Sequence, residues 1–151
     1  MRRANLNKAC YLLDLNALIA LVDPDSPHYG AIQKWFDSEG KRDWGVCPLT
    51  EAGFIRVTTN PAYRGSSRSV AQATTVLHEL SVQPGYRYWM INDKWADVTA
   101  PFAARVAGHQ QVTDAYLLGL AIKEKGVLVT FDKAIKYLAG SDYSSNLLVL
   151  E

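Results

Sequence analysis

Cysteine is scarce in this sequence, with only Cys10 and Cys47 among 151 residues. Their spacing is not that of a metal-binding motif, and we expect reduced, partly buried thiols. Long apolar runs are absent too, since no stretch reaches the roughly 20 residues of a membrane helix. The basic start "MRRANLNK" precedes an apolar stretch, but Asp14 and Asn16 interrupt that stretch and no small-residue cleavage site follows. These features disfavour a signal peptide and predict a cytoplasmic protein with no membrane association.

An excess of one charge is also missing, because 16 basic residues face 15 acidic ones and the net charge is +1. This balance does not by itself indicate a nucleic-acid-binding protein, although a local basic patch could still bind one. Hydrophobic residues make up 48% of the chain and charged residues 21%, which are values typical of a globular protein. The sequence contains no repeat or flexible linker, so we expect a single domain over residues 1–151.

Short apolar segments alternate with segments of helical periodicity along the chain. The predicted strands are "ACYLL", "DWGVCPL", "YRYWMI" (86–91), "VLVTF" and "NLLVLE". Between them lie helices with start signals at Ser26-Pro27, at Thr50 and at Thr113. Strands that are apolar on both faces and alternate with helices predict an α/β fold with a covered parallel sheet.

Acidic residues follow the predicted strands. Asp14 comes after "CYLL", Glu51 after "WGVCPLT", and Asp132 after "VLVTF", while Asp114 opens the helix that leads back to "VLVTF". Ligands of parallel sheets bind outside the carboxyl ends of the strands, so these four side chains can converge. Each acid taken alone could equally be a helix-cap or turn residue.

Converging carboxylates repel each other, and a divalent cation removes that repulsion. Oxygen ligands without histidine or cysteine suit Mg²⁺ or Mn²⁺, which commonly serve phosphate chemistry. We expect Asp14 and Asp114 to bind the metal directly, with Glu51 and Asp132 completing the site directly or through waters. The sequence does not decide between one metal ion and two.

Four segments read together, "LLDLNALIAL", "CPLTEAGFIRV", "VTDAYLLGLA" and "LVTFD", resemble the PIN-domain ribonucleases, especially the VapC-type toxins of bacterial toxin–antitoxin pairs. The resemblance runs from Tyr11 to about Leu138. It implies a three-layer α/β/α sandwich around a central parallel sheet. It also implies a pocket that holds Mg²⁺ or Mn²⁺ on acids matching Asp14, Glu51, Asp114 and Asp132.

The activity implied by this resemblance is metal-dependent endonucleolytic cleavage of RNA, by attack of a water that the metal activates. Toxins of this kind pair with a cognate antitoxin and are commonly homodimers. Asn16 and Thr130 match polar positions near the first and last acids, where they would orient carboxylates or a bound water.

RNA binding requires cations that offset the acidic pocket. Arg56, Arg64 and Arg68 are candidates for phosphate contacts, although a solvated helix face explains them equally well. Several aromatic residues offer faces for unpaired bases, but their spacing singles none of them out; these are Tyr63, Tyr86, Tyr88, Trp89 and Trp95. The three histidines have no partner spacing, so we expect surface or packing roles for them.

Two alternatives remain open at this stage. A phosphotransfer or phosphatase-like α/β domain would also carry an aspartate after its first strand, but phosphatases of the haloacid dehalogenase type need a second aspartate where Asn16 stands. A receiver-like domain needs a phosphoacceptor aspartate after the third strand, and no clear one follows "YRYWMI". A non-catalytic binding module on the same fold is the other alternative.

Overall fold

A computed structural model describes residues 9–63 and 68–151 of the chain. Within these two ranges the four strands are β1 (Tyr11–Leu13), β2 (Trp44–Gly45), β3 (Val127–Thr130) and β4 (Leu147–Val149). The seven α-helices of the described residues are α1 (Leu15–Val22), α2 (Tyr29–Ser38), α3 (Pro48–Thr58), α4 (Val70–Ser81), α5 (Trp95–Thr99), α6 (Val112–Lys123) and α7 (Ile135–Ala139). Short 3₁₀ turns at Gly40–Arg42, Ala100–Arg105, His109–Gln111 and Ser144–Asn146 complete the regular structure.

The strands form one parallel sheet in the order β2-β1-β3-β4. Successive residues of β1 point to opposite faces, because Leu12 belongs to one core and Leu13 to the other. The first core is completed mainly by α6 and α7, and the second by α1 to α4. This arrangement confirms the predicted three-layer α/β/α sandwich around a central parallel sheet.

The predicted strand at 86–91 is not a regular strand of the sheet. Its backbone follows β2 through a single parallel bridge between Trp44 and Tyr86. The amide of Arg87 donates to the carbonyl of Trp44 at 2.7 Å, and the amide of Trp89 to that of Val46 at 2.9 Å. We call residues Tyr86–Trp89 the edge segment. Trp89 packs into the first core and Tyr86 against the second. The apolar pattern of this segment therefore reflects side chains buried on both faces of the sheet, although its backbone does not form all the hydrogen bonds of a regular strand.

Three helices begin at other residues than predicted. Helix α3 starts at Pro48 instead of Thr50, because Cys47 is its N-cap and the Thr50 hydroxyl accepts a hydrogen bond from the Cys47 amide at 3.0 Å. Helix α6 starts at Val112, one residue before the expected cap Thr113. Helix α2 starts at Tyr29, because Ser26 caps a turn in which it accepts from the His28 amide at 3.2 Å.

The sequence also led to expectations about the two cysteine thiols and about membrane-spanning helices. Both cysteines are free, with Cys47 buried and Cys10 partly buried, as predicted. Within residues 9–63 and 68–151, no helix combines the length and the apolar character of a membrane span.

Candidate active site

Asp14 directly follows β1 and is the N-cap of α1. Its Oδ1 accepts a hydrogen bond from the Leu15 amide at 2.7 Å, and its Oδ2 accepts one from the Thr130 hydroxyl at 2.8 Å. Only 6% of the residue is exposed. Burial raises the pKa of Asp14 and the nearby Asp132 charge raises it further, while the two hydrogen bonds lower it. Asp14 is therefore both a helix cap and a buried acid at the end of a strand.

A polar network links Asp14 to the end of β3. The Thr130 hydroxyl, which donates to Asp14, also accepts from the Asp132 amide at 3.0 Å and from the Asn16 side-chain amide at 3.2 Å. The Asn16 carbonyl oxygen accepts from the Phe131 amide at 3.0 Å. The network holds the ends of β1 and β3 together. Thr130 contacts the Asp14 carboxylate directly, and Asn16 is linked to it through Thr130.

Asp114 lies in the first turn of α6 and is half-buried. Burial, followed by the charges of Asp14 and Asp132, raises the pKa of Asp114 to about 6. Asp132 follows β3 and its Oδ1 accepts from the Ala134 amide at 2.9 Å. The structure thus brings three of the four predicted acids near one another: the charge of Asp132 raises the pKa of Asp14, and the charges of Asp14 and Asp132 raise the pKa of Asp114.

Glu51, the fourth predicted acid, lies near two tyrosines of the edge segment. It lies in the first turn of α3, just after β2, where the edge segment passes. Burial, followed by the Glu51 charge, raises the pKa of Tyr86 to about 12. Burial, followed by a hydrogen bond to Glu51 and the Glu51 charge, raises the pKa of Tyr88 to about 12. Sequence reasoning placed Glu51 with the aspartates and gave Tyr88 no special weight, because no local signal links residues 51 and 88.

The donor atoms of the three aspartates fit a hard divalent cation. All are carboxylate oxygens, and their mutual repulsion would fall if a cation lay among them. Among the described residues, no three histidine, cysteine or acidic side chains are close enough to hold an ion together. Mg²⁺ commonly uses one or two protein carboxylates and keeps several waters, so a site for it does not require three coordinating side chains.

The arginines predicted to contact RNA phosphates have different surroundings in the fold. Arg56 is exposed in the last turn of α3, away from the helix start that carries Glu51. The Arg68 guanidinium lies 5.8 Å from the centre of the Phe54 ring, so part of its surface is used within the fold. Arg64 lies outside the described residues. Lys133, which sequence reasoning considered only for another fold, is exposed next to Asp132 and lies 3.9 Å from the Glu151 carboxylate.

Comparisons with known proteins give one consistent family. The family model of the PIN domain matches residues 11–141. Ribonuclease VapC38 of Mycobacterium tuberculosis is 41% identical over 128 residues, which cover 85% of this chain and 89% of that protein. Ribonuclease VapC39 of the same species is 36% identical over 124 residues, which cover 82% of this chain and 89% of that protein.

Solved structures show the same fold at low sequence identity. VapBC2 from Rickettsia felis, bound to a DNA fragment from its promoter, matches with a TM-score of 0.62 and 15% identity, over 94% of this chain and 99% of that one. VapC20 of Mycobacterium tuberculosis, described as a toxin that cleaves the sarcin-ricin loop, matches with a TM-score of 0.60 and 10% identity, over 87% of this chain and 95% of that one. The family-model match, which covers most of the chain, together with the 41% identical relative, establishes that this chain belongs to the PIN-domain family.

Proposed function

We propose that this protein is a divalent-metal-dependent endoribonuclease and the toxin of a toxin–antitoxin pair. The convergence of Asp14, Asp114 and Asp132 at the carboxyl ends of parallel strands carries this proposal. The ribonuclease names of its relatives support RNA as the substrate, and the VapBC2 complex among structures of the same fold supports an antitoxin partner.

The aspartates would hold Mg²⁺ or Mn²⁺, with Asp14 and Asp114 as direct ligands. A bound divalent cation would polarise the scissile phosphate and make an attacking water more acidic. The chain's own residues supply position and charge. Thr130 and Asn16 fix the Asp14 carboxylate and the backbone of Phe131, so the acids keep one geometry when RNA arrives.

Glu51 and Tyr88 would form the opposite side of the pocket. The edge segment is tied to β2 by backbone hydrogen bonds, and Tyr88 remains 43% exposed. A tyrosine hydroxyl that donates to Glu51 would orient this carboxylate toward the RNA. Arg56, Arg68 and Lys133 would offset the charge of the phosphate backbone. A homodimer is the assembly that we propose, and a cytoplasmic location remains a prediction.

The alternatives fit this site less well. Asn16 occupies the position where phosphatases of the haloacid dehalogenase type need a second aspartate, and its amide is engaged by Thr130 and Phe131. A purely binding module would not require the buried Asp14 and the half-buried Asp114, whose pKa values are raised by burial and by neighbouring aspartate charges.

Cleavage of a labelled RNA by the purified protein tests the proposed function. We expect cleavage with Mn²⁺, none with EDTA, and recovery when Mn²⁺ is added again. Asp14→Asn and Asp114→Asn should each lower the cleavage rate at least about 100-fold, because each removes a carboxylate of the pocket. Asp37→Asn, which changes an exposed acid on α2, is the matched control and should cleave like the wild type. Cleavage that survives EDTA, or an active Asp114→Asn variant, would overturn the proposal.

A further inference from the structure

An exposed histidine stacks on a residue that adjoins the candidate site along the chain. The rings of His28 and Phe131 are stacked, with centroids 4.2 Å apart and planes 20° apart. Phe131 stands between Thr130, which donates to Asp14, and Asp132. Phe131 is joined by peptide bonds to both of these residues, so the backbone that supports the stacked pair also carries two polar groups of the pocket.

Phe131 gives this pair a rigid base. Its amide donates to the Asn16 side chain at 3.0 Å, and its ring packs against the second core. One side of the aromatic pair is therefore fixed by the fold, and the motion of Phe131 is restricted by the same network that positions Asp14.

His28 is an exposed residue, although its ring is stacked on Phe131. The residue is exposed and occupies the N-cap position of α2, yet its side chain makes no capping hydrogen bond. Serine, threonine, aspartate or asparagine at that position would satisfy a free helix amide, so the imidazole contributes little to starting α2. Its one ring contact among the described residues is the stack on Phe131.

We propose that His28 is a substrate-binding residue that stacks on an unpaired RNA base next to the phosphate to be cleaved. This inference depends on the proposed ribonuclease function and adds a base-binding subsite to it. Single-stranded RNA is commonly bound by stacking its bases on aromatic side chains, histidine included. A histidine supported from beneath by Phe131 presents such a surface already ordered, which reduces the entropy lost on binding.

The first test measures binding to a labelled single-stranded RNA of about ten nucleotides by fluorescence anisotropy. All variants carry Asp114→Asn, so the RNA is not cut. We expect His28→Ala to weaken binding about 5- to 100-fold, which is the usual effect of removing one stacking side chain. His28→Tyr should bind within about threefold of the parent, because it keeps an aromatic face. His78→Ala, which removes an exposed histidine on α4, is the matched control and should change nothing.

The second test uses a series of the same RNA in which one nucleotide at a time lacks its base. At one position the parent should lose affinity while His28→Ala loses none, since the contact is already missing. If His28→Ala weakens every abasic RNA as much as the intact one, the imidazole does not contact a base and the inference is wrong. Equal binding of the parent and His28→Ala to intact RNA would also overturn it.

Steady-state cleavage separates this inference from the proposed function. In the otherwise wild-type protein, His28→Ala should raise KM and leave kcat and the thermal midpoint nearly unchanged. If the wild type cleaves RNA and His28→Ala has the same KM, the contact between His28 and a base is refuted while the ribonuclease proposal stands. A wild type that cleaves no RNA with Mn²⁺ would refute the ribonuclease proposal itself. Should His28→Ala melt at a lower temperature, His28→Tyr and His28→Phe provide the comparison in a folded protein.

Discussion

At the scale of single residues, Asp114 shows most clearly how its surroundings change an ordinary carboxyl group. It lies in the first turn of α6, where the helix dipole favours the ionised form. Partial burial and the charges of Asp14 and Asp132 act in the opposite direction, and the pKa rises to about 6. In the protein without metal, ionising this carboxyl is therefore easier after unfolding than before it.

This difference predicts a pH-dependent stability. Between about pH 4 and pH 6 the folded protein keeps a proton on Asp114 that the unfolded chain has released, so stability falls as the pH rises through this window. Because the carboxyl is only half-buried, water screens the effect, and we expect a loss of about 1 kcal/mol.

Urea denaturation in EDTA across this pH range measures the loss, and Asp114→Asn isolates the contribution of the residue. The variant should be as stable as the wild type near pH 4 and more stable near pH 7, since it carries no charge to repel the other aspartates. Identical pH profiles for the two proteins would show that Asp114 ionises freely in the folded state.

At the scale of secondary-structure elements, the edge segment depends on a glycine in β2. A Cβ atom on Gly45 would lie 1.6 Å from the carbonyl oxygen of Arg87 and 3.2 Å from the Trp89 ring. The missing side chain lets the edge segment approach β2 closely enough for its backbone hydrogen bonds. Glycine is therefore required here by the close contact between two backbones, and the position of Tyr88 beside Glu51 follows from it.

Gly45→Ala should accordingly destabilise the protein. We expect the free energy of unfolding to fall by about 2 kcal/mol, because the carbonyl of Arg87 must move away. Gly30→Ala is the matched control: its Cβ would meet no atom within 4 Å, and alanine in α2 should add about 0.5 kcal/mol. Urea denaturation measures both variants, and a Gly45→Ala protein as stable as the wild type would mean that the edge segment adjusts without cost.

At the scale of the whole molecule, the sheet collects charges that the chain keeps far apart. Asp14 and Asp132 lie at one edge because β1 and β3 are parallel neighbours, and the first turn of α6 brings Asp114 near them. The repulsion between these carboxylates therefore lowers the stability of the folded protein. Functional sites commonly contain such unfavourable arrangements, which a ligand then relieves.

Mn²⁺ should therefore stabilise the folded protein as a whole. A ligand that binds only the folded state adds about 2.7 kcal/mol at 100 times its Kd, which raises the thermal midpoint by several degrees. The rise should be much smaller in Asp14→Asn and unchanged in Asp37→Asn. Thermal unfolding followed by circular dichroism, with and without Mn²⁺, measures the shift. A wild-type thermal midpoint that does not change when Mn²⁺ is added would contradict a metal site at these aspartates.

Much of the fold could be predicted from local patterns in the sequence. The apolar segments around β1, β3 and β4 and the helix ends marked by glycine and proline predicted an α/β fold with a covered parallel sheet, and the structure confirms it. The starts of α2, α3 and α6 were wrong by one to three residues, since Cys47 and His28 occupy caps that favour other residue types. The 86–91 prediction detected burial correctly, but burial alone does not specify a strand.

The sequence by itself determined the element order and the positions of the acids after the strands, because both depend on neighbouring residues. Only the tertiary structure decided which side chains meet. Three aspartates share one edge, Glu51 faces two tyrosines, and His28 stacks on Phe131, a residue far away in the chain. Such contacts depend on how the helices pack on the sheet, and packing is set by the whole core and not by any local run of residues.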